Sequence, residues 1–213
     1  MPLAELTLPA LYHKLAQQGP SGWWPADSKY EILVGAILVQ NTNWTNVAKS
    51  LANLRASTEF DPAKLAAMSQ EALIEQIRPS GFYQNKSRAL LALFAWLKRR
   101  DFDLPAIAQT PLDQLRPQLL ALPGIGQETA DAMLLFVFDQ SVFVADTYAR
   151  RLFTWLGQPT ATYSALKAKT HEVDAWPLHD AQELHGLIDN FGKTVKDPAT
   201  FAASSLAGMT LVL

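Results

Sequence analysis

Apolar residues recur at spacings of three and four along most of this chain, and side chains that open helices precede them. Between Phe82 and Arg100 the apolar positions Leu90, Leu93, Phe94 and Leu97 form one buried helical face. Ser28-Lys29-Tyr30-Glu31 reads as a capping box ahead of the apolar run that ends at Gln40. Asn43 caps a helix carrying Val47, Leu51 and Leu54; Asp61-Pro62 opens a short one; Ser69 opens another that stops before Pro79. Thr110-Pro111-Leu112-Asp113 is a further capping signature, and Pro117 is expected to break the helix it opens into two pieces. The next helix spans Gln127 to Phe138. Phe136 to Val144 is rich in Val and Phe and fits either a β-hairpin or an apolar connector. With helices on both sides and no partner strands, a connector is the reading. Asp146 to Leu156 returns to helix and ends at Gly157, and two further helices fill Thr162 to Lys196. The pattern predicts an all-α protein with no internal repeat and no low-complexity segment.

Length and composition narrow the function classes. At 213 residues and 49% hydrophobic content, the chain suits one large domain or two small ones sharing a core. Met1 to Gln18 carries Glu5 and Pro9 without a continuous apolar run, so no secretory signal is expected. The most apolar stretch, Ile32 to Val39, is too short to span a membrane. With no cysteine, the chain cannot form disulfides or bind a thiolate-ligated zinc or iron–sulfur cluster. A net charge of −2 weighs mildly against a protein that coats nucleic acid, whose affinity rests largely on Lys and Arg meeting phosphates. A local basic face with backbone amides would still bind DNA.

The most specific motif is Leu122-Pro123-Gly124-Ile125-Gly126, followed about twenty residues later by Val144-Ala145-Asp146-Thr147. Glycines let the backbone turn tightly and bring its N–H groups close to an anion. An ordinary helix–helix turn also uses such a pair. Together with the trailing amphipathic helix and the carboxylate, the run resembles the helix-hairpin-helix DNA glycosylases of the endonuclease III superfamily, over about Tyr30 to Gly192. The resemblance implies two helical domains with the active site in the groove between them. One is a six-helix domain over 28–141 that holds the hairpin; the other is discontinuous, 1–27 with 142–213. It further implies that Leu122, Gly124, Ile125, Gly126 and Thr129 contact the DNA backbone, holding a flipped nucleotide without reading sequence. The backbone carbonyls of Leu120, Leu122 and Ile125 match those that bind a monovalent cation bridging to a phosphate. Asp146 matches the catalytic aspartate, a carboxylate that stabilises the oxocarbenium-like sugar and orients water. Asp146 is equally a good N-cap for its helix, and the two roles are compatible.

Two departures refine the resemblance. Bifunctional members carry a lysine two residues after the second hairpin glycine, which forms a Schiff base with the sugar. Glu128 stands there instead, and neither Lys86 nor Lys98 matches the motif. Chemistry is therefore expected to stop after base release. Endonuclease III also ends in four cysteines around an iron–sulfur cluster; here Asn190-Phe191-Gly192-Lys193 resembles the preceding segment, yet Lys196 stands at the first cysteine position. Apolar Leu206 to Leu213 is expected to pack in the cluster's place. This combination, with Ser80-Gly81-Phe82-Tyr83 and Trp23-Trp24-Pro25, resembles the iron–sulfur-free 3-methyladenine DNA glycosylase (MagIII) branch.

In that branch Trp23, Trp24, Pro25 and Trp44 line the base pocket. An indole face attracts a planar cation, and 3-methyladenine is a cationic, good leaving group. Core filling is the alternative role for each tryptophan. Trp96 and Trp155 read as core, Trp176 is left unassigned, and His171, His179 and His185 lack metal-ligand spacing. Gln40, at a helix end, matches the polar side chain that family members insert into the opened duplex; a solvent-exposed helix end is the alternative. Lys193 matches a basic position near the pocket, as a phosphate contact or as a buried lysine able to take up carbon dioxide. The expectation is a monomeric, cytoplasmic, nucleoid-associated bacterial glycosylase that acts on double-stranded DNA containing damaged bases, excises alkylated purines and uses no cofactor beyond that cation. The rivals are an endonuclease III-like enzyme for oxidised pyrimidines and a lesion-binding module without chemistry.

Overall fold

Side chains bonded to backbone amides open most of the helices at the places the sequence marks. The computed structural model describes residues 4–213, so residues 1–3 of the expected 1–27 segment lie outside the described residues. Strand β1 (Ala4–Leu6) leads into α1 (Leu8–Ala16), capped by Thr7. Then come α2 (Lys29–Leu38), α3 (Trp44–Thr58), α4 (Pro62–Ala67) and α5 (Gln70–Ile77), each started by a side-chain cap: Ser28, Asn43, Asp61 and Ser69. A 3₁₀ turn, Arg78–Ser80, joins α5 to α6 (Tyr83–Lys98). The chain continues through α7 (Leu104–Ala108), α8 (Leu112–Leu120) and α9 (Gln127–Phe136). After them come α10 (Thr147–Trp155), α11 (Tyr163–Lys169), the 3₁₀ turn His171–Ala175, α12 (Leu178–Thr194) and α13 (Pro198–Ala202). The last element, β2 (Met209–Leu211), runs parallel to β1 with Glu5 opposite Thr210.

The fold is mostly helical, as the spacing of apolar positions predicts, with two short strands added. The chain forms two compact units, one of residues 26–140 and one of 4–25 with 141–213. In the first, α2 is buried nearly all round, with Leu33, Val34, Ile37 and Leu38 fully covered, and α3, α6 and α9 pack on it. In the second, α12 is the central plank, with α1 and α10 packed on it. Phe136 to Val144 holds no strand: past the end of α9 it runs as irregular chain, with Val142, Phe143 and Val144 buried.

Several local expectations need correction. Helix α8 runs unbroken through Pro117. The proline costs only the bond to the exposed Asp113 carbonyl near the start of a short helix, where water can replace it. Pro111, without a side-chain bond, occupies the cap that the Thr110 signature suggested. The Ser28 box is half formed: Ser28 accepts the Glu31 amide at 3.2 Å, but the Glu31 carboxylate takes the Asp27 amide at 2.9 Å and pairs with Arg55 at 2.6 Å. Helix α9 stops at Phe136, two residues early. The C-terminal apolar segment buries Leu206 and Leu211 and ties itself to β1 and to the end of α10, where the Leu211 amide donates to the Leu156 carbonyl at 2.8 Å.

Candidate functional site: a buried carboxylate and a glycine hairpin

In the unit built on α12, the apolar run Val142–Ala145 delivers Asp146 to the N-cap of α10. Its Oδ1 accepts the Ala149 amide at 2.7 Å, and the Tyr148 amide also bonds the carboxylate. The side chain is almost entirely buried. Desolvation, with repulsion from Asp189, pushes its pKa up to about 6, against the two amides and Arg150, which pull the other way. The cap and the chemical reading share one geometry, because the amide bonds fix where the carboxylate points.

Helix α12 assembles the rest of this half. A Cβ on Gly186 would lie 2.4 Å from Ser21 Oγ and 2.7 Å from Trp23 Cβ, so only glycine lets that segment lie against the helix. Ser21 is clamped there: its amide and hydroxyl donate to Glu183 at 2.9 and 2.8 Å, and Asn190 Nδ2 donates to its carbonyl at 2.9 Å. Trp23 meets Trp24 edge-on at 5.2 Å between ring centres and lies 6.1 Å from His185. Lys193 Nζ stands 4.6 Å from the centre of the Trp23 ring and 2.5 Å from Asp189. Lys193 is therefore not the buried lysine of one alternative: its side chain is 47% exposed and ion-paired. Trp23 and Trp24 are half-buried and Pro25 is exposed. Trp155, read as core, is also half-buried, against Phe201 and Arg151.

In the unit built on α2, residues 121–126 form the hairpin between α8 and α9. Gly124 adopts φ +78°, and a Cβ there would lie 2.9 Å from Ala89 Cβ, so its glycine is required twice over. Gly126 caps α9 with extended backbone, no side-chain bond and open space where a Cβ would be. Ile125 and Thr129 are buried; Glu128 is exposed in the first turn of α9. Gln40 is not a loose helix end: its Nε2 donates to the Gly124 carbonyl at 3.1 Å and to Thr129 Oγ1 at 3.0 Å. Trp44 is the first residue of α3 and half-buried. Trp96, by contrast, is 4% exposed and is core.

Sequence reasoning missed two residues beside Gln40. Lys86, 3% exposed, donates to the carbonyls of Leu38 at 2.8 Å and Ser80 at 2.7 Å, and burial lowers its pKa to about 8. It pins the end of α2 to the loop carrying Phe82, a ring 64% exposed on left-handed backbone (φ +46°). Gln40, Lys86 and Phe82, with Asn41, Asn85 and Gly124, line a cavity of about 100 Å³. The signal was present: Ser-Gly-Phe-Tyr puts an aromatic directly after a glycine turn. Asp189 and Gly186 were missed as well, although Asp189 stands four residues before Lys193, the spacing of a helical ion pair.

The carbonyls of Leu120, Leu122 and Ile125 are uncharged donors suited to a monovalent cation, and Leu122, which accepts the Ile125 amide at 3.2 Å, keeps a second lone pair. Among the described residues there is no cluster of His, Cys, Asp or Glu fit for a metal, and no helix long and apolar enough to cross a membrane.

The family model described as HhH-GPD superfamily base excision DNA repair protein matches residues 34–177. A protein of Methanocaldococcus jannaschii, provisionally named a DNA repair glycosylase (MJ1434), is 36% identical over 174 residues, covering 80% of this chain and 79% of that protein. Endonuclease III of Thermotoga maritima is 28% identical over 174 residues, 79% of this chain and 75% of its own. Among solved structures, Helicobacter pylori 3-methyladenine DNA glycosylase (MagIII) bound to 1,N6-ethenoadenine superposes with a TM-score of 0.73 at 30% identity. That match covers 85% of this chain and 92% of the other. A non-covalent endonuclease III–DNA complex, 21% identical, shares the fold with a TM-score of 0.72 over 90% of this chain and 86% of the other.

Proposed function

The chain belongs to the HhH-GPD superfamily of base excision DNA repair proteins, and we propose that it is a monofunctional glycosylase that hydrolyses the N-glycosidic bond of alkylated purines, 3-methyladenine first. The observation that carries this reading is Asp146, a buried carboxylate with a pKa of about 6, aimed by two amides. Above that pH its charge stabilises the sugar cation that develops as the base departs, and its raised basicity suits it to take a proton from attacking water. The hairpin amides and the start of α9, whose amides no side chain caps, bind the DNA backbone, and the carbonyls of Leu120, Leu122 and Ile125 would hold a monovalent cation beside it. Gln40 and the exposed Phe82 ring support the opened duplex. No iron–sulfur cluster takes part, because the chain has no cysteine to hold one.

Likeness to the 3-methyladenine glycosylase structure and the aromatic residues Trp23, Trp24 and Trp44 support an alkylated purine. Glu128 supports base release without strand cleavage, since a carboxylate forms no imine. The relatives named endonuclease III favour oxidised pyrimidines as the second reading. Incubation with methylated duplex DNA should free 3-methyladenine, leave strands that break only after alkali, and yield no borohydride-trapped adduct. Release of oxidised pyrimidines alone, or a trapped adduct, overturns the proposal.

Trp44, half-buried as the first residue of α3, is an indole suited to stack on a cationic base. Trp44→Ala should lose about tenfold or more in methylpurine release, since base–aromatic stacking is worth about 1–3 kcal/mol. The core trim Trp96→Phe should lose far less. Equal losses that track stability would assign Trp44 to packing.

A further inference from the structure

We propose that Asp189 is a positioning residue for this chemistry: a second buried carboxylate that acts through Asp146, with Lys193 setting how strongly it acts. The proposal rests on the reading of Asp146 as the catalytic carboxylate. Asp146 opens α10 and Asp189 lies on α12, the helix against which α10 packs. Both are nearly enclosed, 8% and 7% exposed. Like charges kept from water repel strongly, and Asp189 is among the groups that make Asp146 harder to ionise.

Burying a carboxylate beside another is costly unless something offsets it. Lys193, one turn along α12, supplies the offset at 2.5 Å. Its side chain is half in solvent and its ammonium also leans on the Trp23 ring, so the offset is partial. Other charged or titratable groups lie on the same two helices. Arg150, on α10, pulls against Asp189. Arg151 is engaged by the Gly192 and Val195 carbonyls at the end of α12, and His185 lies against Trp23. A base or phosphate that draws Lys193 away would strengthen the repulsion and make Asp146 a better proton acceptor at the moment water must be activated.

The two partners predict opposite shifts, which a merely structural ion pair does not. The Asp146 carboxyl titration, followed by carbon NMR in the DNA-free protein, reads the effect directly, with Asp146→Asn identifying the signal. Asp189→Asn should move the midpoint down by roughly half a pH unit or more. Lys193→Met should move it up, and the charge-keeping Asp189→Glu should hold it near the wild-type value. The acid limb of single-turnover base release should follow the same order. Midpoints that stay put, or that move the same way in Asp189→Asn and Lys193→Met, overturn the proposal. If Asp189→Asn does not fold, the direction given by Lys193→Met decides alone. Because the titration needs no substrate, shifted midpoints in a protein that releases no base would refute the glycosylase reading and leave the electrostatic coupling standing.

Discussion

Asp146→Asn is expected to give a protein that melts higher than the wild type and releases methylated purines on the order of a hundredfold or more slowly. The two effects share one cause. Asparagine keeps an oxygen to accept the Ala149 and Tyr148 amides, so the start of α10 survives. What disappears is a negative charge held almost out of water. In the folded protein this carboxyl has a pKa near 6, against an ordinary value of 3.8, so the folded state binds the proton more tightly than the unfolded chain. Its contribution to stability is fully present below about pH 4 and is lost as pH rises through about 6. The ionised group thus costs the wild type on the order of 2–3 kcal/mol at neutral pH, and the variant escapes that cost. For a chain of this length, about 5 °C or more in melting temperature is expected at pH 8. The gain should vanish at pH 4, which separates this cause from a general improvement in packing. Wild-type kcat/KM for base release should fall below about pH 6, as the same carboxyl takes up its proton. A variant as active as the wild type, or one less stable at pH 8 than at pH 4 relative to it, sinks the account.

The features legible in the sequence were those whose causes are local. Ser28, Asn43, Asp61, Ser69 and Asp146 each bond an amide three residues on, and a side chain that short has few other partners. The hairpin was legible because a left-handed turn needs glycine, as Gly124 shows. Where a side chain had a choice of partners, local reading failed: Glu31 turned from its own helix cap to Asp27 and Arg55. Pairing of β1 with β2 joins three-residue strands about two hundred residues apart, and nothing in either strand specifies the other. Trp23 and Lys193, far apart in the sequence, meet as ring and ammonium, a contact that no local pattern specifies. The face of α12 that brings them together depends on Gly186, Asp189 and Gly192, whose importance is visible only once Ser21, Asp146 and Tyr148 lie against them.

Gly192→Ala should therefore cost more than its size suggests. In a helix interior, alanine is favoured over glycine by about 1 kcal/mol. Here an added Cβ would stand 2.4 Å from Tyr148 Cδ1, 2.8 Å from Cγ and 2.9 Å from Cβ, distances no real contact tolerates. Because the clash reaches Tyr148 Cβ as well as the ring, a turn of the side chain alone does not relieve it, and the start of α10 must move off α12. Overpacking of this kind costs typically about 1–3 kcal/mol, enough to outweigh the propensity gain and lower the melting temperature by several degrees. The displacement falls on the amide that helps aim Asp146, and on Arg151, whose guanidinium lies 5.2 Å from the Tyr148 ring centre and bonds the Gly192 carbonyl. Base release should accordingly fall by about tenfold or more even at temperatures where the variant stays folded, since small misplacements of a catalytic group are amplified in rate. Gly126→Ala provides the contrast. Its backbone is extended and its Cβ would meet nothing within 4 Å, so stability should hold while DNA affinity falls through crowding of the hairpin backbone. Wild-type melting and wild-type rate in Gly192→Ala would show that α10 and α12 have slack at their contact, and that the aim of Asp146 does not depend on it.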